Sequence, residues 1–327
     1  MPDFLFAHLL QKPLWMWGIF GAVVLLLLAF DLGVVNRKAK ALTIRQSLRM
    51  SGFYLLVGLL FSLFIGWALG GQAANNYLTG YIVEETLSMD NIFVMSLVFG
   101  FFAIPRAQQY RVLFWGILGV VILRGIMIGA GSALVHDFGW VLYIFGIFLV
   151  FTGIKMLAEG EKKPDIEHNP VLKVMRRIVP LTPELHGQHF FVRLADGAGK
   201  ARRYATPLFA ALIVIEFVDL VFALDSVPAI FAITDDAYVV YTSNIFAILG
   251  LRALYFALSA MIHRFEYLKY SLALVLVFIG SKIFIVDLFD LDKFPSVLSL
   301  GITVGLLAGG VVFSLYKTRM GDNHIAS

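Results

Sequence analysis

Seven acidic residues sit inside long apolar runs of this 327-residue chain: Asp31, Glu84, Glu85, Asp90, Glu216, Asp219 and Asp225. Four bases share that setting: Arg124, Lys155, Arg252 and Lys282. The acids fall into groups of matching spacing. Glu84 stands six residues before the pair Asp90-Asn91, and Asp219 stands six before Asp225-Ser226. Carboxylates, an amide and a hydroxyl are hard oxygen donors. They suit magnesium, calcium or manganese and not thiophilic metals. The chain has no cysteine, which excludes disulfides, cysteine-based zinc or iron–sulfur sites and thiol redox chemistry of its own. Its histidines (His8, His136, His168, His186, His189, His263 and His324) fall in termini, loops or helix ends, which weighs against zinc, copper or nickel transport. A charge at the bilayer centre costs at least about 2.5–3.5 kcal/mol, so eleven charged side chains there are not incidental. Seven acids against four bases leave three negative charges, which a divalent cation or protons would offset.

The elements that must position these groups follow from composition. Hydrophobic residues make up 60% of the chain and charged residues 15%, against about 45–50% and 25% in soluble domains. Mean hydropathy is +0.85. An ordinary soluble enzyme, a disordered chain and a nucleic-acid-binding protein are thereby excluded, and the net charge of +4 reads as loop charge that sets orientation. Apolar runs of bilayer-spanning length predict nine spans, near 14–35, 51–70, 77–104, 110–134, 138–158, 206–233, 239–261, 267–289 and 295–316. The first is too long for a signal peptide and lacks a small-residue cleavage site. Every second loop is basic: Arg37–Arg49, Arg106–Arg111, segment 159–205, His263–Lys269 and Lys317–Arg319. The expected architecture is an all-α polytopic membrane protein with its N-terminus outside and its C-terminus cytoplasmic. In segment 159–205, Pro170–Pro180 reads as a basic helix whose apolar positions would lie in the headgroup layer. Phe190–Arg193 and Ala201–Thr206 flank a hairpin signal at Asp196-Gly-Ala-Gly.

The two sides of that segment resemble each other. Besides the acidic motif, Ile117-Leu118-Gly119 and Arg124 match Ile248-Leu249-Gly250 and Arg252. Val150-Phe-Thr-Gly-Ile-Lys155 matches Val277-Phe-Ile-Gly-Ser-Lys282. Each unit has three spans (spans 3–5 and 6–8), so the second must enter the membrane from the opposite side. Inverted repeats of this kind characterise secondary transporters, with the substrate site near the midplane. The chain then divides into two N-terminal helices (1–76), a first repeat (77–158), a cytoplasmic loop (159–205), a second repeat (206–289) and a last helix with its tail (290–327).

Within the second acidic helix, Glu216 and Asp219 share a face, while Asp225 lies about 240° from Asp219 on a straight helix. Pro228 cannot donate to the carbonyl of Leu224. A break near Leu224–Ser226 is therefore expected, with a backbone oxygen freed beside a carboxylate. The resulting expectation is one metal site flanked by Asp90 and Asp225, with Glu84 or Glu85 from one repeat, Glu216 and Asp219 from the other, and Asn91 and Ser226 adjoining. Supporting charge comes from Asp31, Arg124, Arg252, Lys155 and Lys282. For the arginines a purely structural pairing with acids stands as the alternative, and for the lysines snorkelling from the helix ends. From chemistry alone the reading is a divalent-cation transporter or a proton-coupled cation transporter, with the metal open.

Several longer stretches carry a family likeness. Gly80-Tyr-Ile-Val-Glu-Glu-Thr-Leu-Ser-Met-Asp90-Asn-Ile-Phe-Val, Phe151-Thr-Gly-Ile-Lys155, His189-Phe-Phe-Val-Arg193, Asp225-Ser-Val-Pro-Ala-Ile-Phe-Ala232 and Thr242-Ser-Asn-Ile-Phe-Ala-Ile-Leu-Gly-Leu-Arg252 resemble the TerC family, in particular its Alx-type bacterial inner-membrane members. The resemblance covers roughly residues 20–316. It implies manganese(II) export across the bacterial inner membrane, with the motifs Glu84–Asp90 and Glu216–Asp225 lining the metal pathway. Manganese is then the transported substrate, the bilayer is the surrounding partner, and no organic cofactor or nucleic acid is expected. The likeness leaves the coupling ion open; protons are the expected counter-ion because export works against the membrane potential and no ATP-binding motif is present. The competing reading is a non-transporting scaffold or a tellurite- or redox-stress-associated membrane protein. No nucleophile–histidine pair or cofactor motif appears, so the chain is not expected to be an enzyme.

Overall fold

The computed structural model describes residues 8–10, 12–31, 44–158, 170–195, 201–258, 267–289 and 294–325. A few side chains inside these ranges, Asp90 and Asp225 among them, lie outside the description. A short antiparallel pair, β1 (His8–Leu9) and β2 (Lys12–Pro13), leads into α1 (Leu14–Phe30). Then follow α2 (Ile44–Leu69), α3 (Gly71–Phe101), α4 (Arg106–Asp137) and α5 (Val141–Ala158). The polar segment holds α6 (Pro170–Ile178) and the hairpin β3 (Phe191–Ala195)–β4 (Ala201–Ala205), as expected from its turn signal. The chain then forms α7 (Pro207–Phe231), α8 (Ala237–Leu258), α9 (Leu268–Leu288) and α10 (Ser296–Ile325).

Seven of these helices (α2, α4, α5, α7, α8, α9 and α10) are long and apolar enough to cross a bilayer, so the protein is a mostly helical, multi-pass membrane protein. Helix α1 is apolar but has 17 residues. Helix α3 has 31 residues but carries Glu84, Glu85 and Asp90. Proline sets several starts, where a missing amide proton costs nothing: Pro13 and Pro105 precede α1 and α4, and Pro207 opens α7. Gly70 alone separates α2 from α3, at a φ of 93° that a side chain would oppose.

Helix α8 is buried along nearly its whole length. It therefore has no lipid face, and its hydroxyls must be satisfied within the bundle. Thr242 donates back to the Tyr238 carbonyl (2.7 Å) and Ser243 to that of Val240 (3.1 Å). Helix α3 packs on α2, α7, α8 and α10, α4 packs on α7 and α8, and α5 packs on α9. The apolar side chains left exposed, such as Leu25, Leu63, Trp67, Phe151 and Val312, form the surface that a bilayer would cover. The two ends of the bundle are tied differently. At one, Lys12 pairs with Asp236 in the α7–α8 turn (2.7 Å). At the other, Asp31 pairs with Arg252 of α8, and the Tyr110 hydroxyl of α4 donates to the Asp31 carbonyl (3.1 Å).

Helices α5 and α9 meet through glycines. A Cβ on Gly280 would lie 2.6 Å from the Gly146 carbonyl oxygen, and one on Gly153 would lie 2.7 Å from that of Ala273. Contact this close between backbones needs small residues. Gly280→Ala is expected to lower stability by about 1–3 kcal/mol through overpacking, read as a lower thermal midpoint in detergent. An unchanged midpoint would contradict the close approach.

Two expectations change. Helix α7 runs unbroken from Pro207 to Phe231, with Pro228 inside it, so the chain does not unwind at Leu224–Ser226. Only the amide partner of the Leu224 carbonyl is lost, because burial of α7 among α3, α4 and α5 holds the remaining ladder. Helix α6 is not simply laid on the headgroups: Leu172 and Met175 are buried in the protein core, while Val174 and Ile178 remain exposed.

Candidate functional site

The interior charges are organised by Arg124 of α4, which is 1% exposed. Its Nη1 lies 2.7 Å from Glu84 Oε1 of α3, and its Nε lies 3.6 Å from Asp219 Oδ2 of α7. The same Nη1 donates to Ser226 Oγ of α7 (2.8 Å) and to Asn244 Oδ1 of α8. Asn91 Nδ2 of α3 donates to Asp219 Oδ1 (3.1 Å). One guanidinium thus joins side chains from four helices. Burying it is tolerable only because two carboxylates compensate its charge. Among the described residues, Arg124 Nη2, Asn91 Oδ1 and Asn244 Nδ2 are buried without a hydrogen-bond partner. The centre is therefore underused as well as charged, which in a native interior calls for a reason.

Of the expected site residues, the structure brings Glu84, Asp219, Asn91 and Ser226 together. Asp90 and Asp225 are placed by their backbones in α3 and α7, and their side chains lie outside the described residues. Glu216 and Glu85 lie outside the hydrogen-bonded network. The Glu216 carboxylate fills a notch on α4: a Cβ on Gly119 would come 2.5 Å from one of its oxygens, and one on Gly116 would come 3.3 Å from the other. Among the described residues, both Glu216 oxygens are buried without a hydrogen-bond partner. Glu85 is directed toward α8, with Oε1 3.9 Å from where a Gly250 Cβ would be and Oε2 buried without a hydrogen-bond partner among the described residues. Both Ile-Leu-Gly motifs thus set a glycine beside an acid, each on the helix that the acid's own helix packs against. Among the described residues, no three acids or histidines converge as a ready metal cage.

The supporting charges divide. Arg252 pairs with Asp31, and its guanidinium lies 4.6 Å from the Tyr110 ring and 5.8 Å from that of Phe114. This cluster ties α1, α4 and α8 together. Lys155 is exposed, as a snorkelling lysine would be. Lys282 is 7% exposed, with Nζ 5.9 Å from the Phe294 ring, so it is held inside. Asn244 was missed as a site residue by sequence reasoning. The available signal was an amide in the middle of an all-round apolar helix, a costly placement unless it is bonded. Gly116 and Tyr110 carried no comparable mark.

A multi-pass helical bundle with an arginine–carboxylate network where four helices meet defines an integral membrane protein with a charged interior. The chain belongs to the TerC family of integral membrane proteins, whose family model matches residues 69–322. A membrane protein of Rickettsia bellii (strain RML369-C) is 45% identical over 306 residues, covering 94% of this chain and 99% of the relative. A membrane protein of Myxococcus xanthus is 43% identical over 304 residues, 93% of each chain. A protein of Escherichia coli (strain K12) that carries the name Alx, with the provisional description of a membrane-bound redox modulator, is 44% identical over 301 residues, covering 89% of this chain and 91% of the relative. No solved structure matches the chain.

Proposed function

We propose that the protein is a secondary transporter that exports manganese(II) across the bacterial inner membrane in exchange for protons, through the interior shared by α3, α4, α7 and α8. One observation carries this reading: oxygen donors at matching positions of the two repeats meet inside the bundle. Glu84 matches Asp219 and Asn91 matches Ser226 by sequence, and Arg124 and a direct Asn91–Asp219 bond join all four. The donors are carboxylate, amide and hydroxyl, which suit a hard divalent ion. Manganese among such ions is the choice of the family resemblance. A redox reaction by this chain's own thiols is disfavoured, since it has none.

The inverted repeat is supported by packing. Exchanging α3 with α7, α4 with α8 and α5 with α9 turns the α3–α8 contact into the α7–α4 contact, and both exist. At the α5–α9 interface, Gly153 meets Ala273 and Gly280 meets Gly146, which are counterparts under the same alignment. With α1 and α3 added to the seven apolar helices, nine spans follow. The Lys12–Asp236 and Asp31–Arg252 ties put residues 12 and 236 at one end and 31 and 252 at the other, as alternating passes require. The Lys12 end is outside by the positive-inside rule. The domain divisions of the sequence reading carry over on this basis.

Energetics favour exchange. Export from a negative interior opposes about 2.3 kcal/mol per charge per 100 mV, doubled for a divalent ion. The sequence has no phosphate-cradling glycine loop to bring ATP to the task. Carboxylates must shed protons to bind metal, so a single interior can carry metal one way and protons the other. Binding is tested by thermal unfolding of the purified protein in detergent. Manganese(II) at 100 times its Kd is expected to stabilise it by about 2.7 kcal/mol, and zinc and copper are expected to do less. If no divalent ion shifts the midpoint, the binding half of the proposal fails. Orientation is tested with a membrane-impermeant thiol label. The chain is naturally free of cysteine, so one introduced at Ala195 should stay unlabelled from outside intact cells, and strong labelling would invert the topology.

A further inference from the structure

We propose that Arg124 is a tethered cation that occupies Glu84 and Asp219 whenever the transported divalent ion does not, so that metal and guanidinium replace one another on the same two carboxylates. The inference rests on the exporter reading and deepens it. A purely structural arginine would use its donors fully. Among the described residues, Arg124 Nη2 is buried without a hydrogen-bond partner, while Nη1 is crowded by Glu84, Ser226 and Asn244. Two of these Nη1 acceptors, the Ser226 hydroxyl and the Asn244 amide oxygen, are neutral. They offer the guanidinium a resting place on α7 and α8 when the carboxylates turn to metal. The Asp219 contact at 3.6 Å is longer than a hydrogen bond, and Asp219 is steadied instead by Asn91 at 3.1 Å. Both acids can therefore part from the arginine without leaving it unbonded.

The consequence concerns the return of the empty carrier. Without metal, two interior carboxylates would face each other across α3 and α7, and like charges in a low-dielectric interior repel. Arg124 balances them, which lets the metal-free bundle change its facing. Arginine suits this role because it stays charged in protein interiors. A side chain that merely clamps the bundle would influence stability and all modes of transport alike. A tethered cation separates two modes: exchange of metal for metal needs no empty return, and net export does.

The test uses the full chain, purified and reconstituted in liposomes, with manganese(II) as the probe. In Arg124→Gln, net efflux into metal-free medium should fall at least tenfold while exchange of labelled for unlabelled manganese persists. Its manganese affinity at pH 8.5, where protons compete least, should rise at least tenfold. Arg124→Lys, which keeps a cation, should retain net efflux. If Arg124→Gln does not accumulate, Asn244→Ala removes one neutral resting place of the displaced guanidinium, holds Arg124 more firmly on the carboxylates and should weaken manganese affinity severalfold. Net efflux and exchange falling together in Arg124→Gln, an Arg124→Gln affinity equal to or weaker than wild type, or, where that variant does not accumulate, an Asn244→Ala affinity equal to or tighter than wild type, overturns the proposal and leaves the exporter reading intact. A wild-type protein that neither binds nor moves any divalent ion overturns both.

Discussion

Glu84→Leu is expected to destabilise the protein by about 3 kcal/mol, the low end of the 3–5 kcal/mol typical of breaking a buried ion pair. The substitution leaves Arg124, 1% exposed, without its closest counter-charge. The guanidinium cannot shed its proton, so the charge stays in the interior with, among the described residues, only Asp219 at 3.6 Å to offset it. Asp219 is the reason that the low end applies. Removing both acids, in Glu84→Leu with Asp219→Leu, should exceed the sum of the single losses, because the two acids share one partner. Arg124→Gln should cost less than Glu84→Leu, since carboxylates can be neutralised by protons and an arginine cannot. Midpoints of thermal unfolding in one detergent rank the three. Glu84→Leu proving milder than Arg124→Gln would show that the network is not what the geometry indicates.

Asp90→Asn and Asp225→Asn are each expected to reduce manganese efflux at least a hundredfold while the protein accumulates normally. The exporter reading gives these residues the anionic ligands of the pathway, each one position before a member of the observed network, Asn91 or Ser226. An amide keeps the shape and removes the charge. A divalent ion leaving water for the interior requires that charge. Loss of transport with retained midpoints separates ligand from scaffold. Cells carrying either variant should lose manganese resistance, and resistance equal to wild type in both variants would remove Asp90 and Asp225 from the pathway.

Much of this organisation was legible in the chain. Apolar runs located the helices because a bilayer length leaves few alternatives, and the hairpin at 191–205 followed from its turn residues. The acids stood out because charge is costly where they sit. Their partners were less visible. Arg124 and Arg252 have similar sequence settings, yet one gathers acids from α3 and α7 and the other pairs with Asp31 beneath the Tyr110 ring. Which acid each arginine meets is decided by helix rotation and packing, and no single-helix period encodes that. The expected break at Pro228 failed for a related reason. A proline removes one hydrogen bond, but a helix buried on several sides keeps its remaining ones. Glu216 was assigned to the same face as Asp219, and that face proved wide enough for Asp219 to reach Arg124 while Glu216 enters the Gly116–Gly119 notch.

The central claim is that this charged interior moves manganese. Efflux from liposomes containing the purified protein, clamped at zero membrane potential and loaded with manganese, tests it most directly. The account predicts efflux that needs the protein, accelerates when protons are driven in the opposite direction, and vanishes in Asp225→Asn. Manganese retained equally by protein-containing and protein-free liposomes, with and without the proton gradient, would contradict it.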